Sequence, residues 1–267
     1  MNTYLFDIDG VLTNPHTPEI IQPHMIEILT TFLKRGIPMG FISGRPMWWL
    51  RDELIKKMEM EVTKENLDKK ILDLLYVAGE FGAVTAVHIN GEKIEKLDEK
   101  YMIPNEIKDK LATYAQSIKD TVFIEKKQTL FTVHRNEGLS QEEFRKVKSE
   151  IIAKFKSILQ NYPEIEILSD PIAINVRHKK VNKTIATDNF ISWLKDKKIS
   201  PEKFFVFGDS LTDLEMAVEL QKQQLPFEFI YVGKEEELNG IQYGFPITVT
   251  KAECDEGTIE CLTAHTR

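Results

Sequence analysis

Two aspartates, Asp7 and Asp9, stand one residue apart at the end of a short apolar run and are followed at once by Gly10. The run, residues 4–6, suits the start of a buried strand, and Gly10 lets the backbone turn where that strand stops. At strand period two both carboxylates project to one side, and two anions that close repel unless a cation or a shared proton offsets them. A divalent metal is the simplest answer. One carboxylate could then ligate Mg²⁺ and attack phosphorus while the other exchanges a proton with the leaving or attacking oxygen. Asp and Gly are also favoured turn residues, so a plain turn stands as the alternative at this point.

The strand-then-polar-loop arrangement recurs twice. Residues 38–42 form a second apolar run ending in Ser43-Gly44-Arg45-Pro46. Ser43 offers a hydroxyl, Gly44 allows close backbone approach, and the helix that follows presents unpaired N–H groups to an anion. Ser43 also suits a helix cap, and the two roles are compatible. Arg45 is a candidate substrate contact, or a partner for a surface acid. The third case is the run Lys203 to Phe207, which leads into Gly208-Asp209-Ser210-Leu211-Thr212-Asp213. Asp209 is the better metal ligand. Asp213 can ligate directly, hold a metal-bound water or orient Lys183.

Positioning these groups requires a parallel sheet. Residues 23–35 read as an amphipathic helix ended by Gly36, and a further helix follows Pro46 through Trp48, Trp49, Leu50 and Leu54. Adjacent helical residues point about 100° apart, so one tryptophan is expected in the core and the other at its rim. Strand, helix, strand and helix is the βαβ rhythm, and ligands of such sheets collect beyond the carboxyl ends of the strands. Residues 74–87 read as one more strand running into a Gly-rich bend. The pattern then changes: residues 92–101 are polar, 105–118 helical, 122–133 alternate like one half-buried strand, 140–159 form a long helix, and 164–176 give two strand-like pieces. This is an antiparallel α+β unit inserted in the parallel domain, whose pattern resumes at Lys183. A strand at 229–232 and a closing helix at 255–262 complete the chain.

Composition narrows the possibilities. A net charge of -7, with no Lys/Arg block, argues against a nucleic-acid surface. No apolar run approaches the roughly 20 residues of a membrane span, and no signal peptide fits before residue 4, so a cytoplasmic protein is expected. Cys254 and Cys261 are the only cysteines, too few for a disulfide framework and without zinc-site spacing.

Taken in order, Asp7-x-Asp9, Ser43, Lys183 and Gly208-Asp209-Ser210-x-x-Asp213 resemble the four motifs of the haloacid dehalogenase superfamily of phosphatases. The resemblance implies Asp7 as nucleophile through an aspartyl-phosphate and Asp9 as general acid/base. It gives Ser43 a hydrogen bond to the phosphoryl group and has Lys183 neutralise it. It places Mg²⁺ at Asp7, the Asp9 carbonyl and Asp209, with Asp213 beside them. Glu125-Lys126-Lys127 and His134 within the insertion, followed by Arg177, are similar to the substrate-binding residues of the trehalose-6-phosphate phosphatases, and the turn Gly79-Glu80-Phe81-Gly82-Ala83 resembles a turn of that family. The implied fold is α/β: a Rossmann-like parallel-sheet core of residues 1–83 and 177–267, with a smaller inserted α+β cap of residues 84–176. Some positions depart. Ser210 stands where that family usually has a second Asp, Leu214 where it has Glu, Arg135 where it has Tyr, and Thr184 where it has Gly. The metal chemistry survives these changes, and substrate identity is what they leave open.

A cap strand carrying Lys127, His134 and Arg135 faces a further limit: the first and last share strand parity and His134 does not, so a regular strand cannot turn all three to one cavity. The expectation is a Mg²⁺-dependent phosphomonoesterase of a small sugar phosphate, possibly trehalose 6-phosphate. Alternatives are another capped sugar-phosphate or mannosyl-phosphoglycerate phosphatase, a phosphomutase, and a non-catalytic binding protein on the same fold. The sequence does not read out an oligomeric state.

Overall fold

In a computed structural model, residues 1–14, 16–238 and 244–266 are described. The chain divides into two compact units, Met1–Lys96 with Asn182–Arg267, and Leu97–Val181.

The first unit is built on an eight-stranded sheet. In chain order its strands are β1 (Asn2–Phe6), β4 (Met39–Ile42), β5 (Leu75–Gly79), β6 (Val84–Ile89), β7 (Glu92–Leu97), β12 (Lys203–Gly208), β13 (Phe227–Tyr231) and β14 (Ile247–Val249). They lie in the order β14-β13-β12-β1-β4-β5-β6-β7. The short pair β2 (Thr13–Asn14) and β3 (Thr17–Ile21) is antiparallel and follows the β1 loop. Pro15, between the two strands, lies outside the described residues. β1 pairs in parallel with β12 on one side and β4 on the other, with Phe6 level with both Phe207 and Phe41. That register brings three carboxyl ends to one height.

Both faces of β1 are buried, which is why its sequence is apolar without alternation. Tyr4 and Phe6 face helix α1 (Pro23–Lys34), where Tyr4 meets Phe32 edge-on at 4.8 Å and Phe6 stacks with Phe207 at 4.9 Å. Leu5 joins the opposite cluster with Phe190 of α6 (Lys183–Asp196) and Leu220 of α7 (Leu214–Lys222). Helix α2 (Met47–Leu50) runs through a π-helical stretch, Arg51–Ile55, into α3 (Lys56–Lys64). Trp49 is buried on it and Trp48 exposed, as adjacent helical positions require. Among the described residues no helix is long and apolar enough to cross a membrane.

The second unit contains α4 (Asn105–Ser117), β8 (Val122–Glu125), β9 (Phe131–Arg135), α5 (Gln141–Ile158), β10 (Ile165–Ser169) and β11 (Ala173–His178). Its four strands form an antiparallel sheet in the order β10-β11-β9-β8. Ser140 and Glu143 close the start of α5 with a reciprocal capping box. Two expectations are revised here. Residues 84–96 belong to the first unit, because β6 pairs antiparallel with β5 and extends the main sheet, so the insertion spans 97–181 and not 84–176. The stretch 122–133 is two strands and not one: the chain folds back after Glu125, so β8 and β9 pair with Phe123 opposite His134.

The burial of Phe190, wholly enclosed against Tyr76, Trp193 and Phe204, makes a testable demand. Phe190→Ala should destabilise the first unit by about 3–5 kcal/mol, whereas Met60→Ala, at a site 70% exposed, should change it by less than about 0.5 kcal/mol. Trp48, Trp49 and Trp193 all lie in the first unit, so tryptophan fluorescence in a denaturant titration reads it. Equal midpoints for the two variants would contradict this account of the core.

Candidate active site

The site is assembled by three strand ends. Asp7 follows β1, Asp209 follows β12 and Ser43 follows β4; Asp7 N–H donates to the Phe207 carbonyl at 3.0 Å, which stitches the first two ends together. Gly10 shows how tightly they fit. Its φ is +69°, and a Cβ there would lie 2.1 Å from Asp209 Oδ2, so both conformation and space exclude a side chain. One carboxylate oxygen each from Asp7, Asp209 and Asp213 lie within 4.8 Å of one another.

Lys183 is the counter-charge. Asn182 caps α6 by accepting from the Ile185 N–H, which makes Lys183 the first helical residue and aims its side chain back at the strand ends. Its ammonium, 93% buried, donates to Asp7 Oδ1 at 2.7 Å and to Asp213 Oδ1. Its own N–H donates to Glu215 at 3.1 Å. Asp213 has no exposure at all. Its second oxygen accepts from the Asp209 N–H, the Ser210 N–H and the Ser210 hydroxyl, each at 2.9 Å. Both Asp213 oxygens are therefore engaged in holding Lys183 and shaping the 208–213 loop.

One ammonium does not balance three carboxylates. Burial pushes Asp7 up to about 7, against the pull of Lys183 and with Asp213 and Asp9 adding to the rise. Burial, with Asp7 and Asp213 next, pushes Asp209 up to about 9. Burial alone would lower Lys183, but the flanking Asp213 and Asp7 outweigh it and its pKa is raised. The site is short of positive charge, and its all-oxygen donors suit a hard divalent cation at Asp7 and Asp209.

Ser43 is fully buried, and its Oγ accepts from the Arg45 N–H at 3.0 Å, leaving the hydroxyl proton to donate to an anion. Gly44 serves a different neighbour from the one its type suggests: a Cβ there would lie 2.5 Å from the Phe81 ring. Phe81 belongs to a turn in which Glu80 and Phe81 both take positive φ, 52° and 58°. Their N–H groups donate to the Arg45 and Ser43 carbonyls, at 2.9 Å each. The strained turn thus braces the Ser43 loop. Arg45 reaches Asp9, with Nε and Nη2 donating to Oδ1 at 2.9 and 2.7 Å.

In the second unit the structure brings Glu125, Lys127 and His134 together. Glu125 Oε2 accepts from Lys127 Nζ at 2.8 Å and lies 3.0 Å from His134 Nε2 across the β8-β9 pair. The parity limit expected of these residues does not apply, because Lys127 sits in the hairpin connection and His134 on the neighbouring strand. His134 and Lys127 outweigh burial at Glu125 and hold it down at about 2. Arg177, buried on β11, donates to Glu166 of β10 at 3.0 Å.

The brace at residues 80–81 had no signal in the sequence beyond the Gly79 to Gly82 turn residues, whereas the Lys183–Asp213 pair matches one of the roles open to Asp213 in the sequence, that of orienting Lys183.

The family model described as trehalose-phosphatase matches residues 59–240. No curated protein sequence matches. Among solved structures, the C-terminal domain of Candida albicans trehalose-6-phosphate phosphatase is 18% identical, covering 98% of this chain and 91% of that one at a TM-score of 0.71. A haloacid dehalogenase-like hydrolase from Bacteroides thetaiotaomicron is 16% identical, covering 99% of each chain at 0.64. Aspergillus fumigatus trehalose-6-phosphate phosphatase is 18% identical over 98% and 91% at 0.58. At these identities the likeness is one of fold. The family match covers more than half of the chain and falls on a fold that gathers buried acids beyond its strand ends against the lysine that opens α6: this phosphatase belongs to the trehalose-phosphatase family.

Proposed function

We propose that the chain is a Mg²⁺-dependent phosphomonoesterase of a small sugar phosphate, trehalose 6-phosphate being the first candidate, working through an aspartyl-phosphate on Asp7. The observation that carries this is the Lys183 ammonium held between Asp7 and Asp213 at the ends of β1 and β12. A group so placed offsets the charge of both a carboxylate nucleophile and the phosphoryl group it attacks.

Asp7 attacks phosphorus in line; the new bond is Asp7 oxygen to phosphorus, and the phosphorus to sugar-oxygen bond breaks. Asp9 gives its proton to the departing oxygen. In the second step Asp9 takes a proton from water, whose oxygen attacks phosphorus and releases Asp7 and inorganic phosphate. Ser43 donates its hydroxyl to a phosphoryl oxygen throughout, and Asp213 keeps Lys183 in place. Mg²⁺ would be held by Asp7, Asp209 and the Asp9 backbone carbonyl, and would add the positive charge that three carboxylates and one lysine lack. The same reading assigns choice of sugar to Lys127 and His134.

Asp7→Asn should abolish turnover while the protein stays folded, because the amide keeps the shape and loses the anionic nucleophile; more than a few per cent residual activity would remove Asp7 from that role.

The raised pKa values of Asp7 and Asp209 give a second expectation. Their protonated forms are favoured by folding, so without metal the stability contributed by these groups falls as pH rises through about 7 and about 9. Mg²⁺ requires the ionised forms and should raise Tm more at pH 8.5 than at pH 6. A Mg²⁺ effect of equal size at both pH values would contradict binding at these carboxylates.

Sugar choice is tested kinetically. Lys127→Ala and His134→Ala should each lower kcat/KM for trehalose 6-phosphate by roughly tenfold to a hundredfold and leave 4-nitrophenyl phosphate nearly unchanged, whereas Lys183→Ala should damage both substrates alike. Equal losses on both substrates for the first two variants would show that they support the fold of the second unit instead.

A further inference from the structure

Arg45 follows Gly44 in the loop after Ser43, where a cation suggests a direct hold on phosphate. The geometry gives it another task. The guanidinium lies over the Trp49 ring at 4.5 Å, and the Trp49 side chain is itself 96% buried. The Arg45 backbone is fixed at both ends, its N–H donating to Ser43 Oγ at 3.0 Å and its carbonyl accepting from the Glu80 N–H at 2.9 Å. An arginine held by stacking and by its own backbone has already lost most of the freedom that makes exposed ion pairs weak. Its two donors, Nε and Nη2, converge on one atom, Asp9 Oδ1, at 2.9 and 2.7 Å.

Asp9 needs such a hold. Its side chain is half exposed at the mouth of the site, where an aspartate would sample several rotamers. Proton transfer demands a carboxyl within hydrogen-bond reach of the reacting oxygen, so a misplaced rotamer is costly.

We propose that Arg45 is a positioning residue: it holds Asp9 by Oδ1 against the platform of Trp49, so that Oδ2 carries the proton that passes to the leaving oxygen and, in the second step, receives the proton from water. This rests on the reading of Asp9 as the acid/base. It separates the two cations of the site, Lys183 serving the nucleophile and Arg45 the proton carrier.

The test uses leaving groups that differ in their need for a proton. Phosphorylation of the full-length protein is followed in single turnover with 4-nitrophenyl phosphate, whose phenolate leaves unaided, and with phenyl phosphate, whose phenolate is more basic. Arg45→Ala should leave the first rate near that of the unsubstituted protein and lower the second by roughly tenfold or more. Steady-state turnover of 4-nitrophenyl phosphate should then show a burst, since water activation is also impaired. Competitive inhibition by inorganic phosphate should be unchanged, and Arg45→Lys should recover part of the loss. Weaker inhibition by phosphate with equal losses on both esters would place Arg45 on the phosphate and overturn the inference. So would equal losses with inhibition unchanged, or no change in any constant. Asp7→Asn serves as the control: if it retains turnover, the reading of the whole site fails, whereas an inactive Asp7→Asn beside an indifferent Arg45→Ala removes the inference alone.

Discussion

Negative charge buried at the mouth of a parallel sheet is the constraint on which the rest of this molecule depends. Asp7, Asp209 and Asp213 converge within 4.8 Å, and taking even one carboxylate out of water is expensive unless it is paired. Lys183 is the main reason that the arrangement is tolerable, since its ammonium touches two of the three. Removing such a group would leave its partners buried without compensation, a larger penalty than the pair itself is worth. The protein accepts a residual excess of negative charge, visible in the upward shifts of Asp7 and Asp209. That excess suits the site to a divalent cation, which the proposed function calls on before a phosphate can enter.

Sheet register turns this local problem into a property of the fold. Phe6 lies level with Phe207 and Phe41, so each strand delivers its polar residue one or two positions later, at the same height. The aromatic layer behind it, Phe6 on Phe41 at 5.2 Å and on Phe207 at 4.9 Å, locks that height. A slip of one residue would turn Asp7 to the α1 face and Phe6 toward the site. The core therefore sets the site's geometry as well as stabilising the chain.

The parts legible in the sequence were those coded by neighbours along the chain. An apolar run ending in Asp7-Ile8-Asp9-Gly10, a second ending in Ser43 and a third ending in Asp209 announce strand ends without any knowledge of packing. What remained hidden depends on groups far apart. Arg45 is 36 residues from Asp9, and its hold on that carboxylate had no signal along the chain; Lys183, 30 residues from Asp213 and 176 from Asp7, was placed only by motif order and resemblance. Two misread boundaries have local causes. β7 reads Glu-Lys-Ile-Glu-Lys-Leu because it is the edge strand of the main sheet, where charge blocks further pairing, and such a segment looks like a linker. The turn between β8 and β9 contains neither Gly nor Pro, so alternation ran on through a place where the chain reverses.

The two basic side chains of the site sit on different kinds of support, and the difference follows from what each must hold. Lys183 opens α6 behind an Asn182 cap and is enclosed by the core; a helix start and full burial suit a point charge between two buried carboxylates. Arg45 lies on a loop, and its planar guanidinium is stacked on Trp49 while its backbone is braced by a turn with two residues at positive φ. Aromatic stacking is open to a guanidinium in a way that a compact, strongly hydrated ammonium matches poorly, so the two positions are not interchangeable. Strain at residues 80 and 81 has a purpose in this arrangement: the backbone N–H groups it exposes are the ones that fasten the Ser43 and Arg45 carbonyls. The loop that would meet the phosphate is thereby held from behind by main-chain bonds, which leaves its own side chains, the Ser43 hydroxyl and the Arg45 fork, to act forward.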